Sequence, residues 1–398
     1  MSSYVRKGFG LKAEVQEILS ADYTGRLVDL LLANEYTLAA EGITVRLAKE
    51  FGFCYGVERA VDYAYQTRRK FPDRRILLAG EIIHNPHVNA KLREMGIIFL
   101  EHTPAGFDFS SVSAEDVVIL PAFGVTITDF ERLRAIGCVM VDTTCGSVLN
   151  VWKRVESYAR EGFTSLIHGK HYHEETRATA SQTEKYARAH YLVVRDMHEA
   201  RLVCAYIEGH GDPAAFLERF ADRASAGFDP DRDLKRVGVA NQTTMLARES
   251  LDIAEEVGAT FARVHGPEYR TEHFRSFDTI CSATQDRQDA VNELLKEPLD
   301  LMLVVGGYNS SNTISLAALC AERVPTYHIE DPECIDVEAN VIRYRSPGIH
   351  GTMQEAAAWI PESGDVRVGI TAGASTPNNK IGEAVARVLA TRGVTIEG

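Results

Sequence analysis

No stretch of the 398-residue chain approaches the run of about eighteen apolar residues that a membrane-spanning helix requires. Basic residues are in the minority, 43 Lys and Arg against 56 Asp and Glu. The resulting net charge of −13 argues against a general nucleic-acid binder while leaving room for a local basic pocket. The opening segment, Met1 to Ser20, has neither an apolar signal core nor the acid-poor bias of a transit peptide. Cysteines are few and scattered: seven, an odd number, with none of the close pairs that mark a zinc ribbon or a disulfide framework. A reducing cytoplasm is therefore the expected location, or the plastid stroma in a plastid-bearing organism, with neither membrane nor nucleic acid as partner. What remains is a globular composition, 45% hydrophobic and 25% charged, long enough for two or three domains.

The chain is organised around Phe51-Gly-Phe-Cys-Tyr-Gly-Val57. This stretch closes a β-type run in which Ile43, Val45 and Leu47 alternate, and it opens a helix with Val57, Ala60, Val61 and Ala64 on its apolar face. Cys54 thus falls at a strand-to-helix turn between glycines, where backbone approaches closely and helix N–H groups favour a thiolate. The same turn recurs at Cys145, followed by Val148, Val151, Trp152 and Val155. It recurs again at Cys281, followed by Ala290, Val291, Leu294 and Leu295.

Residues 1–42 read as a polar, helical N-terminal extension packed through Val15, Ile18, Val28, Leu30 and Leu31, with no chemistry of its own. From residue 43 strands and helices alternate, which implies parallel sheets covered by helices. Three blocks follow: 43–138 with Cys54, 139–276 with Cys145 and an insertion at about 200–236, and 277–398 with Cys281. Cys54 lies 30 positions before His84, Cys145 lies 28 before His173, and Cys281 lies 29 before Ser310. The expected fold is α/β: three βαβ-type units related by a pseudo-threefold, trefoil-like arrangement around one central site. The polar motifs fall at strand carboxyl ends, where parallel sheets bind ligands.

Three thiolates from three units can hold three irons of a 4Fe–4S cluster and leave the fourth open to a substrate oxygen. The plain alternative is three unrelated buried cysteines, because free cysteine is among the most buried residues; the repeat argues against it. Cys138, Cys204, Cys320 and Cys334 lie outside the repeat and are assigned to packing. The strand-end loops offer neutral donors, namely His84, Asn85, His173, Thr243, Ser310, Ser311, Asn312 and Ser375, of the kind that cradle phosphate oxygens without a lysine cluster. Ordinary turn chemistry would supply one such loop, but several accompany the cysteines here. Glu174 and Glu175 follow His173 closely. Either could be a general acid with Thr243 as relay, or simply an acid at a helix start, and the chemistry does not rank them.

Eight segments carry a family resemblance, in order along roughly residues 45–385. They are Gly-Phe-Cys54-x-Gly-Val-x-Arg-Ala, Glu-Ile-Ile-His84-Asn-Pro, Asp-Thr-Thr-Cys145, His173-x-Glu175-Thr, Asn-Gln-Thr243-Thr, Cys281-x-Ala-Thr-x-x-Arg-Gln, Gly-x-Asn-Ser310-Ser-Asn312 and Thr-Ala-Gly-Ala-Ser375-Thr-Pro. Together they resemble the LytB/IspH family of 4-hydroxy-3-methylbut-2-enyl diphosphate reductases. The resemblance implies the last step of the non-mevalonate isoprenoid pathway: an allylic diphosphate is reductively dehydroxylated to isopentenyl and dimethylallyl diphosphates. It implies a 4Fe–4S cluster and electrons from a ferredoxin or flavodoxin. By position it makes Cys54, Cys145 and Cys281 the cluster ligands, Glu175 the proton donor and Thr243 its neighbour. His84, Ser310, Asn312 and Ser375 become diphosphate contacts, and His173 a further active-site histidine.

Two departures stand out. Phe123 occupies a position where many bacterial members have histidine, and Gly146 follows Cys145 where proline is usual. The Leu-Pro-Ala-Phe-Gly run, Tyr4-x-Arg-Lys-Gly-Phe-Gly, His168-Gly-Lys and the insertion resemble the plant and cyanobacterial branch. A quinolinate-synthase-like cluster enzyme would share the architecture but needs a carboxylate cradle. A non-catalytic iron–sulfur sensor would be marked by a damaged acid or cradle, and both are intact here. A structural zinc protein is separable by metal analysis.

Overall fold

Alternation of apolar residues builds the strands as expected. In the computed structural model, which describes residues 4–103, 106–348 and 350–396, Ile43, Val45 and Leu47 are buried while Thr44 and Arg46 between them are half-exposed. The helices after the cysteines also follow the pattern: Tyr55–Lys70 buries Val57, Ala60, Val61 and Ala64, and Gly146–Glu161 buries Val148, Val151 and Val155. The fold is α/β. Its described residues divide into two bodies, those within 4–6, 74–80 and 98–281 in the first and the remainder in the second. Among the described residues no helix is long and apolar enough to cross a membrane.

The first body holds two parallel sheets. In one, the strands Tyr4–Val5, Val139–Asp142, Val117–Leu120 and Ile76–Leu78 lie side by side. In the other the order is Tyr191–Val194, Thr164–His168, Val237–Asn241 and Phe274–Ser276. The insertion is ordered and helical: Phe216, Phe220 and Phe228 join Leu166, Leu192 and Val239 in one apolar cluster over the second sheet.

The second body holds the third sheet. Leu301–Val305 and Val366–Ala372 pair in parallel, Ile43–Leu47 continues the parallel order, and Thr37–Ala40 closes that edge antiparallel. The other edge, through Thr326–Ile329, Ile335–Asp336, Val341–Arg345 and Met353–Ala357, is mostly an antiparallel meander that the sequence pattern did not reveal.

Sheet membership is offset from the sequence blocks. The strands ahead of two cysteines complete sheets of another block, Ile43–Leu47 joining Val366–Ala372 and Val139–Asp142 joining Val117–Leu120, whereas Phe274–Ser276 joins Val237–Asn241 of its own block. Residues 43–47, grouped by sequence with 43–138, thus belong to the third sheet, and residues 139–142 to the first. Periodicity identifies a strand; only long-range hydrogen bonding chooses its partner.

The N-terminal extension is only partly what its pattern suggests. It forms helices Lys12–Tyr23 and Arg26–Ala33 between two short strands. Val15, Val28 and Leu31 are buried, whereas Ile18 is 55% exposed and Leu30 38% exposed. Leu27, Val28 and Leu31 belong to the same core as Val45, Val368 and Val385. Leu31→Ala should therefore cost about 2–4 kcal/mol, while Ile18→Ala should fall within about 0.5 kcal/mol of wild type. Denaturant midpoints of the two variants check both values.

Candidate functional site

In the first body the strand Thr164–His168 ends in a loop whose last residue, His173, caps the helix Glu174–Ser181. The His173 ring accepts, through Nδ1, a hydrogen bond from the Glu175 backbone N–H at 3.1 Å. An accepting Nδ1 carries no proton, so the neutral ring bears its hydrogen on Nε2 and is a donor there. The Phe123 ring stands edge-on to it, centroids 5.6 Å apart, so the residue that departs from histidine in this chain packs against His173.

Glu175 is 1% exposed, whereas Glu174 is half-buried. Burial separates the two acids that sequence chemistry left equal. Thr243, just past the strand Val237–Asn241, donates its backbone N–H to Glu175 Oε1 at 2.6 Å and its hydroxyl to Oε2 at 3.0 Å. The Cys281 N–H donates in turn to the Thr243 carbonyl at 3.3 Å. Four of the predicted residues, His173, Glu175, Thr243 and Cys281, therefore form one hydrogen-bonded series.

Gln242 braces it, accepting at Oε1 from the Thr176 hydroxyl and the Lys170 N–H, each at 3.1 Å. Cys145 is seated separately: its N–H donates to the Ala122 carbonyl at 2.9 Å.

In the second body Cys54 is the N-cap of Tyr55–Lys70, and its N–H donates to the Ala374 carbonyl at 3.2 Å. Gly52 just ahead has a φ of +68°, which favours glycine at this turn. Ser375 donates to the His84 carbonyl at 3.2 Å and lies 3.5 Å from the Ser310 hydroxyl. His84 Nδ1 meets Glu81 at 2.8 Å. Gly307 lets these loops approach, because a Cβ there would sit 2.4 Å from the His84 carbonyl oxygen.

Ser310 caps the helix Ser311–Ala321, so Ser311 and Asn312 occupy its first turn, the positive end of the helix dipole. The Ala374 N–H donates to Asn312 Oδ1 at 2.9 Å, which fixes the amide with Nδ2 as donor. That Nδ2 is buried and has no acceptor among the described residues. A buried donor without an acceptor is costly, and an anion at the helix end relieves it. His84, Ser310, Ser311, Asn312 and Ser375 thus form one cradle suited to phosphate oxygens.

The cysteines sort by environment. Cys138, Cys204 and Cys320 are buried, and burial raises all three thiols, Cys320 to about 12. Cys54, Cys145 and Cys281 are half-exposed at strand ends with a helix following each. Partial access and helix N–H groups suit metal-binding thiolates, so the donor set fits an iron–sulfur group. Cys334 is also half-exposed and lies 3.7 Å from the Tyr308 hydroxyl, in no such turn.

One contributor escaped the sequence reading. Arg287, 3% exposed, donates Nη2 to the Gly52 carbonyl at 2.6 Å and Nη1 to the Ala283 carbonyl at 2.8 Å. It pins the Cys54 turn from the helix Ser282–Leu294. The available signal was a charged residue on the otherwise buried stripe Thr284, Gln288, Val291 and Leu294.

A family model described as LytB protein matches residues 45–389. Among curated relatives, 4-hydroxy-3-methylbut-2-enyl diphosphate reductase of Gloeobacter violaceus is 50% identical, covering 100% of this chain and 94% of its own. The enzyme of the same name from Thermosynechococcus vestitus is 47% identical over 98% of this chain and 96% of its own. Among solved structures, the Plasmodium falciparum E-1-hydroxy-2-methyl-but-2-enyl-4-diphosphate reductase superposes with a TM-score of 0.63 at 22% identity, covering 88% and 89% of the two chains, and so shares the fold. A second, described as (E)-4-hydroxy-3-methyl-but-2-enyl diphosphate reductase, the terminal enzyme of the non-mevalonate pathway, gives 0.52 at 26% identity over 86% and 98%.

Arg287→Met keeps the bulk of the side chain but leaves the Gly52 carbonyl without its charged donor. The expected loss is about 1–3 kcal/mol, read as a lowered urea midpoint. An unchanged midpoint would mean the contact adds nothing to stability.

Proposed function

The chain belongs to the LytB protein family, and on that premise we propose that it reduces 4-hydroxy-3-methylbut-2-enyl diphosphate to isopentenyl and dimethylallyl diphosphates, the closing step of the non-mevalonate pathway. The observation that carries the assignment of roles is the Glu175 carboxyl, buried and gripped at both oxygens by Thr243, which is itself bonded to the Cys281 turn.

Cys54, Cys145 and Cys281 are the residues that would hold a 4Fe–4S cluster. When bound, the cluster supplies electrons singly and a Lewis-acidic iron. The chain's own residues do the rest. The Asn312 amide, the Ser310, Ser311 and Ser375 hydroxyls and His84 bind and orient the diphosphate, and the helix Ser311–Ala321 adds the favourable end of its dipole. His173, held as an Nε2 donor by its cap to Glu175, contributes a further neutral hydrogen bond.

Glu175 delivers the proton that lets the allylic hydroxyl leave as water. Thr243 is suited to relay it, since a hydroxyl accepts one proton while giving up another. The dehydroxylation takes up two electrons and two protons: one proton leaves with the hydroxyl as water, and the second ends on an allylic carbon of the product as its new C–H bond. A ferredoxin or flavodoxin is the electron source, and the cytoplasm is the compartment.

Glu175→Gln keeps the shape and can keep the Thr243 N–H bond at its oxygen, the amide NH2 then donating to the Thr243 hydroxyl, but it removes the acid. It should retain the visible absorbance of the cluster, bind substrate with little change in KM, and lose about 10²–10⁴-fold in kcat, the usual range for a positioned acid. Full activity in this variant would end the proton-donor assignment.

A further inference from the structure

The Tyr4-x-Arg-Lys-Gly-Phe-Gly segment received no role from the sequence, yet its first residues reach the foot of a cysteine turn. Tyr4–Val5 pairs in parallel with Val139–Asp142, setting Tyr4 beside Met140 and Val5 beside Val141. The strand it joins runs directly into Thr143-Thr144-Cys145. At its end lies Asp142, 4% exposed, a carboxylate at the edge of the first sheet.

Every oxygen of that carboxylate is committed. Oδ1 accepts the Thr144 N–H at 2.9 Å and the Thr144 hydroxyl at 2.5 Å. Oδ2 accepts the Tyr4 hydroxyl at 2.5 Å and faces the Arg6 guanidinium at 3.4 Å. One side of the group thus grips the turn, and the other is held by the N-terminus. The neighbouring Thr143 adds a hydroxyl bond to the Leu120 carbonyl at 2.6 Å.

The turn needs outside restraint because its next residue is Gly146, the first residue of the helix Gly146–Glu161. Glycine there gives the chain the widest conformational choice. A Cβ at Gly146 would meet nothing within 4 Å, so no packing replaces what the missing side chain would contribute.

We propose that Tyr4 and Arg6 are positioning residues for Cys145, acting through Asp142 to hold the glycine-loosened turn in the geometry that retains the cluster. The inference rests on Cys145 being a cluster ligand, but the mechanical part of it does not. A buried carboxylate hydrogen-bonded on both oxygens is rigid, and losing the donors on one oxygen leaves it underpaired and free to release Thr144. The N-terminal strand is then part of the metal site's support, in the way outer partners orient first ligands elsewhere.

The test compares the anaerobically loaded wild type with Tyr4→Phe and with Tyr4→Phe/Arg6→Ala, using two readouts. The first is the rate of loss of visible absorbance in an iron chelator. The second is amide hydrogen exchange of the peptide spanning residues 139–149, read against peptides of the second sheet.

Both variants should load the same iron, melt close to wild type, lose the cluster roughly five- to tenfold faster and exchange faster only around Thr144 and Cys145, on the scale of a charge-assisted hydrogen bond. Adding Gly146→Pro should restore both rates. Proline is tolerated at the first helical position, and Cys145 already has the extended backbone, φ −63° and ψ 143°, that precedes proline.

Wild-type rates in Tyr4→Phe/Arg6→Ala would overturn the proposal. So would accelerated rates that Gly146→Pro leaves uncorrected, which would place the effect outside the turn. Should the double variant unfold, Tyr4→Phe alone, which removes a single oxygen, gives the same reading. Because hydrogen exchange needs no metal, a protein that binds no cluster would defeat the functional reading while the exchange comparison still decides this one.

Discussion

The grip of Thr243 on Glu175 is the contact on which the proposed chemistry rests. A carboxyl group at 1% exposure forfeits most of its hydration, and such a group is stable only if its oxygens are hydrogen-bonded. Thr243 meets that requirement with both of its donors, one backbone and one side chain. The arrangement has a consequence beyond stability. Because the Thr243 carbonyl also accepts from Cys281, Glu175 and the Cys281 turn are joined through one residue. The cap from His173 adds the other end of the same series, so that burial, tautomer and orientation are decided by backbone groups rather than by flexible side chains.

The anion site proposed in the second body uses the same economy. Among the described residues no lysine is assigned to that cradle. A helix terminus, three hydroxyls, an amide donor lacking an acceptor among the described residues and a histidine supply the donors, and Gly307 permits the two loops to meet. Neutral donors bind a diphosphate without the long, mobile side chains whose ordering costs entropy. The turn at Cys54 is secured differently, by the buried guanidinium of Arg287, whose Nη2 donates to the Gly52 carbonyl.

Much of this was legible in the sequence. Alternation at Ile43, Val45 and Leu47 and the spacing of Val57, Ala60, Val61 and Ala64 announced a strand, a turn and a helix around Cys54, because one-dimensional periodicity is a direct image of a buried face. Polar residues after apolar strands announced the site for the same reason. Other features were hidden because they are non-local. Which sheet receives residues 43–47 or 139–142 is decided by pairing across hundreds of positions, and the meander of Thr326–Ile329 through Met353–Ala357 has little apolar contrast, Met353 being 56% exposed. Arg287 and Asp142 stand inside motifs around Cys281 and Cys145, but the sequence alone gives neither a partner. Their roles appear only once the Gly52 carbonyl and the Tyr4 hydroxyl are placed against them. Glu175 was chosen over Glu174 by family resemblance, and burial now supplies a physical reason.

The central claim is that three cysteines from three similar turns hold one redox group, and metal content tests it most directly. Protein purified without oxygen should carry about four iron and four acid-labile sulfide per chain, with a broad absorption band at about 400 nm typical of thiolate-held cubane clusters. Alanine at any one of Cys54, Cys145 or Cys281 should abolish that band, whereas alanine at Cys334 should leave it intact. Zinc in place of iron, or a full cluster that survives loss of one of the three, would contradict the account.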